Sequence, residues 1–215
     1  MKQGYFITFE GPDGSGKTTI STKVYERLTK HDYRAIYTRE PGGSRIAEKI
    51  RDIILDPSNT EMDVKTEALL YAASRRQHLV ERILPHLANG DIVISDRFID
   101  SSLAYQGVGR SIGIEAIWDI NMFAIEGRVP DLTIFLDIDP ELGLARINHR
   151  QFKDRLDQES LDFHQRVFSG YQLIKNQYQH RMAIFDATHT IEELTNEVYD
   201  YIIDWIARRE SNTVD

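Results

Sequence analysis

Three glycines, a lysine and a threonine in the run Gly11-Pro12-Asp13-Gly14-Ser15-Gly16-Lys17-Thr18 have the spacing G-x-x-x-x-G-K-[ST] that binds phosphate. Glycines without a Cβ let successive backbone N–H groups close on a polyphosphate, and the start of a following helix adds its positive dipole end. Lys17 supplies a full charge to the same phosphates, and the Thr18 hydroxyl is the kind of hard oxygen that binds the magnesium ion travelling with ATP. The spacing therefore predicts a nucleotide site built on Gly11, Pro12, Asp13, Gly14, Ser15, Gly16, Lys17 and Thr18.

Such a loop works only between a strand and a helix. Tyr5–Phe9 is aromatic and β-branched enough for a buried strand, and Thr18–Thr29 reads as the helix after it. Four more short apolar runs, Ala35–Thr38, Ile92–Ser95, Leu132–Asp137 and Met182–Phe185, alternate with helical stretches. Those stretches are Ala47–Leu55, Val64–Ala88, Ser102–Tyr105 into later helical material, Pro140–Asn148, Leu161–Arg181 and Ile191–Arg209. The pattern predicts an α/β fold, with five parallel strands flanked by helices on both faces. In such sheets ligands gather at the carboxyl ends of the strands, where Glu10, Thr38-Arg39-Glu40, Ser95-Asp96-Arg97 and Asp137 all fall.

Three further groups stand at or near those ends. Arg39, on the rigid turn Thr38-Arg39-Glu40-Pro41-Gly42-Gly43, is positioned to fork onto a phosphate or to pair with Glu40. Asp96 closes its strand where a carboxylate meets magnesium, directly or through water, and Arg97 beside it is drawn to the same phosphates or to a salt bridge with Asp96. Tyr71 and Arg75 share a helix face, which suits either a pyrimidine pocket or ordinary helix surface. The densest positive cluster, Arg146-Ile147-Asn148-His149-Arg150-Gln151-Phe152-Lys153-Asp154-Arg155, reads either as a solvated face or as a lid over the phosphate loop.

Composition narrows the class. The 215 residues are 41% hydrophobic, carry a net charge of −8 from 26 basic and 34 acidic residues, and include no cysteine. One domain is expected, with free nucleotides rather than nucleic acid as ligands. No apolar run has the length of a membrane span, Met1-Lys2-Gln3-Gly4 leads into strand material, and the cysteine-free sequence suits the cytoplasm. The Asn-Lys-x-Asp element of guanine-reading switches is absent from the sequence.

The assembled motifs resemble the bacterial thymidylate kinase family across essentially the whole chain. The resemblance rests on Phe9-Glu10-Gly11 through Thr18-Thr19, Thr38 through Gly43, Asp96-Arg97-Phe98 with Ser102, Ala104-Tyr105-Gln106-Gly107, Pro130-Asp131-Leu132, and Asp154 through Glu159. It implies a single domain over 1–215 with a lid at about 146–157, ATP and dTMP as substrates, Mg²⁺ as cofactor and a homodimer. It further implies that Asp13 positions the acceptor sugar, Arg39 and Arg97 hold the dTMP phosphate, and Arg51 belongs to the same region. By the same likeness Tyr71 stacks on thymine, Arg75 meets its carbonyl, Ser102 and Gln106 contact the base, and Tyr105 crowds the 2′ position. The loop lacks the arginine that some members place there, which resembles the subgroup whose lid supplies it. Arg150 is then the first choice and Arg155 the second, alongside Lys17, Arg97 and Asp13. Phe98 departs from the tyrosine of many relatives. Acceptors such as dCMP, UMP and dGMP remain the rivals to dTMP.

Overall fold

The computed structural model describes residues 4–147 and 154–211. Its sheet has five strands in the order β2-β3-β1-β4-β5, all parallel: β1 (Tyr5–Glu10), β2 (Ala35–Arg39), β3 (Ile92–Asp96), β4 (Leu132–Asp137) and β5 (Met182–Asp186). This is the predicted α/β sheet, with strand ends extended by at most one residue. Every residue of β1 is buried. Its side chains alternate between two cores, as a period of two requires. Tyr5, Ile7 and Phe9 pack beneath helices α1 (Lys17–Lys30) and α9 (Ile191–Ser211). Phe6 faces the opposite layer, which holds α3 (Val64–His78), α6 (Ile114–Ile125) and α8 (Leu161–Gln177).

The helical reading of Val64–Ala88 resolves into α3, a π-helical turn Leu79–Ile83 and the short α4 (Leu84–Ala88). Pro85, near the start of α4, has no N–H to give the preceding turn, and the hydrogen-bond ladder changes register just ahead of it. Beyond β3, α5 (Ile99–Ser102) passes into a π-helical stretch, Leu103–Gly109, so this segment is helical from three residues earlier than expected. The helix α8 stops at Gln177, where a 3₁₀ turn Gln179–Arg181 feeds β5. The remaining connections are α2 (Arg45–Leu55), lying on α3, and α7 (Pro140–Ile147) after β4.

Strand register sets the height of the site. Phe9 and Arg39 both pair with Asp96, so β2 and β3 end level, with β1 one residue beyond them, and the three present their next residues to a common rim. A buried bidentate pair, Arg181 to Asp100 at 2.6 and 2.7 Å, fixes α5 against the sheet, with Thr133 accepting from Arg181 at 2.8 Å. Neither charge reaches water, so removing one alone would leave the other stranded.

Candidate active site

The loop after β1 takes left-handed or wider positive φ angles at Gly11 (144°), Gly14 (78°) and Gly16 (85°), and Gly16 forms the cap of α1. These angles are costly for any residue with a Cβ. Lys17 curls back over the loop, donating to the Pro12 carbonyl at 2.7 Å and to Ser15 Oγ at 3.4 Å, and is only 6% exposed. Burial and the neighbouring Arg97 lower its pKa to about 8, despite the opposing pull of Asp13, Asp96 and Glu10. Thr18 Oγ1 donates to Asp96 Oδ2 at 2.5 Å. Two hard oxygens thus converge at the mouth of the loop, as a phosphate-bound magnesium ion needs.

Arg97 is the centre of the site. Its backbone is left-handed (φ 71°), a conformation costing about 1 kcal/mol or more in a non-glycine residue. Three contacts around the turn hold it: Arg97 N donates to Phe9 O at 3.0 Å, Ser95 Oγ to Arg97 O at 2.8 Å, and Phe98 N to Glu10 Oε1 at 2.8 Å. The guanidinium then donates to Asp13 Oδ1 (2.5 Å), Ser101 Oγ (2.9 Å), Tyr171 OH (3.2 Å) and Tyr105 OH (3.3 Å). Tyr105 OH in turn donates to Asp13 Oδ2 at 2.6 Å. Burial alone would raise Asp13, but Arg97, Lys17 and the Tyr105 hydroxyl outweigh it and bring the carboxyl down to about 2.

Glu10, fully buried, ties this hub to the sheet. It accepts from Phe98 N, from Ser101 N and Oγ (3.2 and 2.6 Å) and from Tyr171 OH (3.2 Å). Burial and the nearby Asp100 push its pKa up to about 7 against the pull of Arg97.

Beside the loop opens a cavity of about 380 Å³, within the usual size for a small-molecule site. At its phosphate-loop end Arg39 Nη1 and Arg51 Nη1 both donate to Pro41 O, at 3.0 and 2.7 Å. Burial and the charge of Arg39 lower the pKa of Arg51, so an anion entering between the two would relieve their repulsion. The far end is walled by Tyr71, Arg75, Ser102 and Gln106, all at most 8% exposed. Arg75 donates through Nε to Glu40 Oε2 (2.7 Å), through Nη1 to Ser102 Oγ (3.0 Å) and to Asn121 Oδ1, and through Nη2 to Phe98 O (3.0 Å). One Nη2–H is left over. Phe98 itself is buried edge-on against Phe6, with Arg75 over its ring at 5.2 Å.

The structure thus brings Asp13, Lys17, Thr18, Arg39, Arg51, Tyr71, Arg75, Asp96, Arg97, Ser102, Tyr105 and Gln106 to one rim. Gly11, Pro12 and Ser15 shape the loop beneath. Arg150 lies outside the described residues. Arg155 is engaged away from the loop: its Nη2 meets Glu67 Oε2 at 2.6 Å and its Nε donates to Ile54 O at 2.8 Å. Sequence reasoning missed the supporting shell of His78, Asn121, Tyr171 and Glu67. His78 bridges Glu40 (2.9 Å) and Thr38 (2.6 Å). Only Glu67 left a signal, being four residues before Tyr71 and eight before Arg75 on one helix face.

A phosphate loop opening onto a second, arginine-lined pocket at the carboxyl edge of a parallel sheet defines a nucleoside monophosphate kinase. The family model described as thymidylate kinase matches residues 9–198. The chain is 57% identical to the thymidylate kinase of Lactobacillus delbrueckii subsp. bulgaricus over 195 residues, covering 89% of this chain and 92% of that one. It is also 57% identical to that of Enterococcus faecalis over 205 residues (94% and 97%), and 53% identical to that of Bacillus licheniformis over 201 (93% and 95%). The chain belongs to the thymidylate kinase family.

Proposed function

We propose that this protein transfers the γ-phosphoryl group of ATP to dTMP, making dTDP for the supply of dTTP to DNA synthesis. The observation that carries this reading is one cavity lined both by the phosphate-loop residues with the paired arginines Arg39 and Arg51 and by an aromatic, guanidinium and amide cluster of Tyr71, Arg75 and Gln106. Its phosphate end suits a monoester dianion and its far end a planar base with carbonyl edges.

A phosphate oxygen of dTMP attacks the γ-phosphorus in line, the bond to the β-phosphate oxygen breaks, and ADP leaves. The acceptor is already ionised near neutral pH, so the protein mainly positions and neutralises. Lys17 and the loop N–H groups hold the donor, Arg39, Arg51 and Arg97 the acceptor phosphate. Asp13 receives the sugar hydroxyl, and Tyr105, braced on Asp13, fills the space a 2′ hydroxyl would need. Thr18 Oγ1 and the Asp96 carboxylate would hold Mg²⁺, which supplies Lewis-acid neutralisation of the phosphate oxygens. Arg150, in the lid segment at about 146–157, is the first choice for the arginine that neutralises the transferring group. Arg155, the second choice for that role, is held by Glu67 and the Ile54 carbonyl. Arg146, donating to Gly14 O at 3.4 Å and Ala187 O at 3.0 Å, marks the opposite side of the loop, where the donor nucleoside lies.

The chain works as one phosphate-loop domain over 1–215, in the cytoplasm and as a homodimer. No helix among the described residues is long and apolar enough to cross a membrane. The apolar side chains Ile53, Leu69 and Phe123, exposed on neighbouring helices α2, α3 and α6, supply a face for a second copy. With ATP and Mg²⁺, a panel of dTMP, dCMP, UMP and dGMP should give the highest kcat/KM with dTMP. A higher value for any other acceptor sinks the assignment of Arg75 and Ser102 to thymine.

A further inference from the structure

Glu67 belongs to no motif, yet it is one of the most heavily bonded carboxylates in the described chain. It is 1% exposed and accepts from Gln106 Nε2 at 2.9 Å, from Arg110 Nε and Nη2 at 3.0–3.2 Å, and from Arg155 Nη2 at 2.6 Å. Glu67, Tyr71 and Arg75 stand on successive turns of α3. Facing them, Ser102, just ahead of the π-helical stretch, takes a hydrogen bond from Arg75, and Gln106, about one turn further on within it, gives one to Glu67. The two helical segments are therefore rails of one slot, with Tyr71 between its ends.

The charge on Glu67 decides how Gln106 sits. Burial would raise its pKa, but Arg110, Gln106 and Arg155 outweigh that and hold it low. An ionised carboxylate only accepts. The Gln106 amide must then turn its NH₂ to Glu67, and the end left for the cavity that Gln106 lines is the carbonyl oxygen.

We propose that Glu67 is a positioning residue for base selection, locking Gln106 so that the slot offers the acceptor base one carbonyl oxygen from Gln106 and one N–H from Arg75. This rests on the nucleoside monophosphate acceptor reading above and deepens it. Thymine and uracil present a ring N–H beside a carbonyl, the complement of that pair. Cytosine presents a ring lone pair beside an amine, so both of its groups meet their own kind. Sites built on oriented hydrogen bonds reject such mismatches strongly, because buried groups on both sides lose their partners.

The test is kcat/KM for dTMP and for dCMP on wild type, Glu67→Gln, Gln106→Met and the double variant. In Glu67→Gln the new amide can donate as well as accept, so Gln106 is free to flip. The dTMP-to-dCMP ratio should fall about tenfold to a hundredfold, by a similar factor in Gln106→Met, and no further in the double variant. If Glu67→Gln fails to fold, Glu67→Asp keeps a charge for the arginines while withdrawing it from Gln106, and the same fall is expected. A ratio unmoved in Gln106→Met, or kcat/KM values falling in step for both acceptors when Glu67 is changed, would show that Glu67 merely clamps Arg110 and Arg155, and the proposal is overturned. A wild type that does not prefer dTMP removes the acceptor assignment itself, a separate and earlier failure.

Discussion

At the scale of single residues, two buried ionisable groups make the site legible to pH. Lys17 has a pKa lowered to about 8 by burial and Arg97, so in the free enzyme its charge is complete below that value and lost above it. The kcat/KM for ATP, which reports the free enzyme, should be level to about pH 7.5 and fall up to tenfold per unit beyond about 8.5. Bound phosphate opposes loss of the proton, so kcat should hold to higher pH. A kcat/KM profile level to pH 9.5 would contradict Lys17 as the donor-phosphate cation. Glu10 shows the opposite displacement, up from 4.5 to about 7. Between those values the folded chain keeps a proton that the unfolded chain has lost. The stabilisation is whole below pH 4.5 and gone once pH passes about 7, up to about 3 kcal/mol. Urea unfolding at pH 5 and pH 7.5 should show wild type losing that much more than Glu10→Gln, and equal losses would mean that Glu10 is ionised throughout. The phosphate loop, Arg39, Asp96 and Arg97 were readable in the sequence because each sits at or just after a strand end, where ligands of such sheets gather, although the partners of Asp96 and Arg97 lie far along the chain. Glu10's partners, Tyr171 and Ser101, are distant in sequence, and no local pattern encodes such a meeting.

At the scale of elements, the sheet was legible because its strands are short apolar runs separated by helices, which leaves parallel pairing as the compact solution. The π-helical turns were not, since the side-chain period differs too little from an α-helix over five to seven residues. Nor was the contact between the start of α7 and the phosphate loop. Gly14 and Gly143 meet backbone to backbone there: a Cβ on Gly143 would overlap Asp13 O, and one on Gly14 would overlap Gly143 O. This approach lets Arg146 reach both Gly14 O and Ala187 O. Gly143→Ala favours the helix itself by about 1 kcal/mol, so thermal stability is a poor readout. The added methyl should instead push α7 off the loop and lower kcat/KM for ATP at least tenfold, or about 1.4 kcal/mol. An ATP dependence equal to wild type would show that α7 can shift without disturbing the donor site.

At the scale of the whole molecule, α3 has two faces with two tasks. Tyr71 and Arg75 turn inward to the cavity, while Leu69, two residues before Tyr71 and so on the other side of the helix, is 56% exposed. Neighbouring α6 leaves Phe123 89% exposed and α2 leaves Ile53 48% exposed. Exposed apolar side chains on adjacent helices are candidates for an interaction surface where a lone one would not be, and aromatics are enriched at the anchors of such surfaces. A homodimer through this face would support α3 from behind and stiffen the wall that carries Tyr71, Arg75 and Glu67. Sedimentation of the wild type should give twice the 24.9 kDa chain mass. Phe123→Arg, absent from the cavity lining and exposed in the free chain, should yield folded monomer if two copies meet through this face, because an arginine desolvated by that contact would need a partner to offset its burial. With the support gone, the dTMP KM should rise several-fold while the ATP KM, set on the far side of the loop, stays near wild type. A Phe123→Arg protein that still sediments as a dimer would place the interface elsewhere, and a monomer with wild-type dTMP KM would show that α3 needs no backing to hold the base.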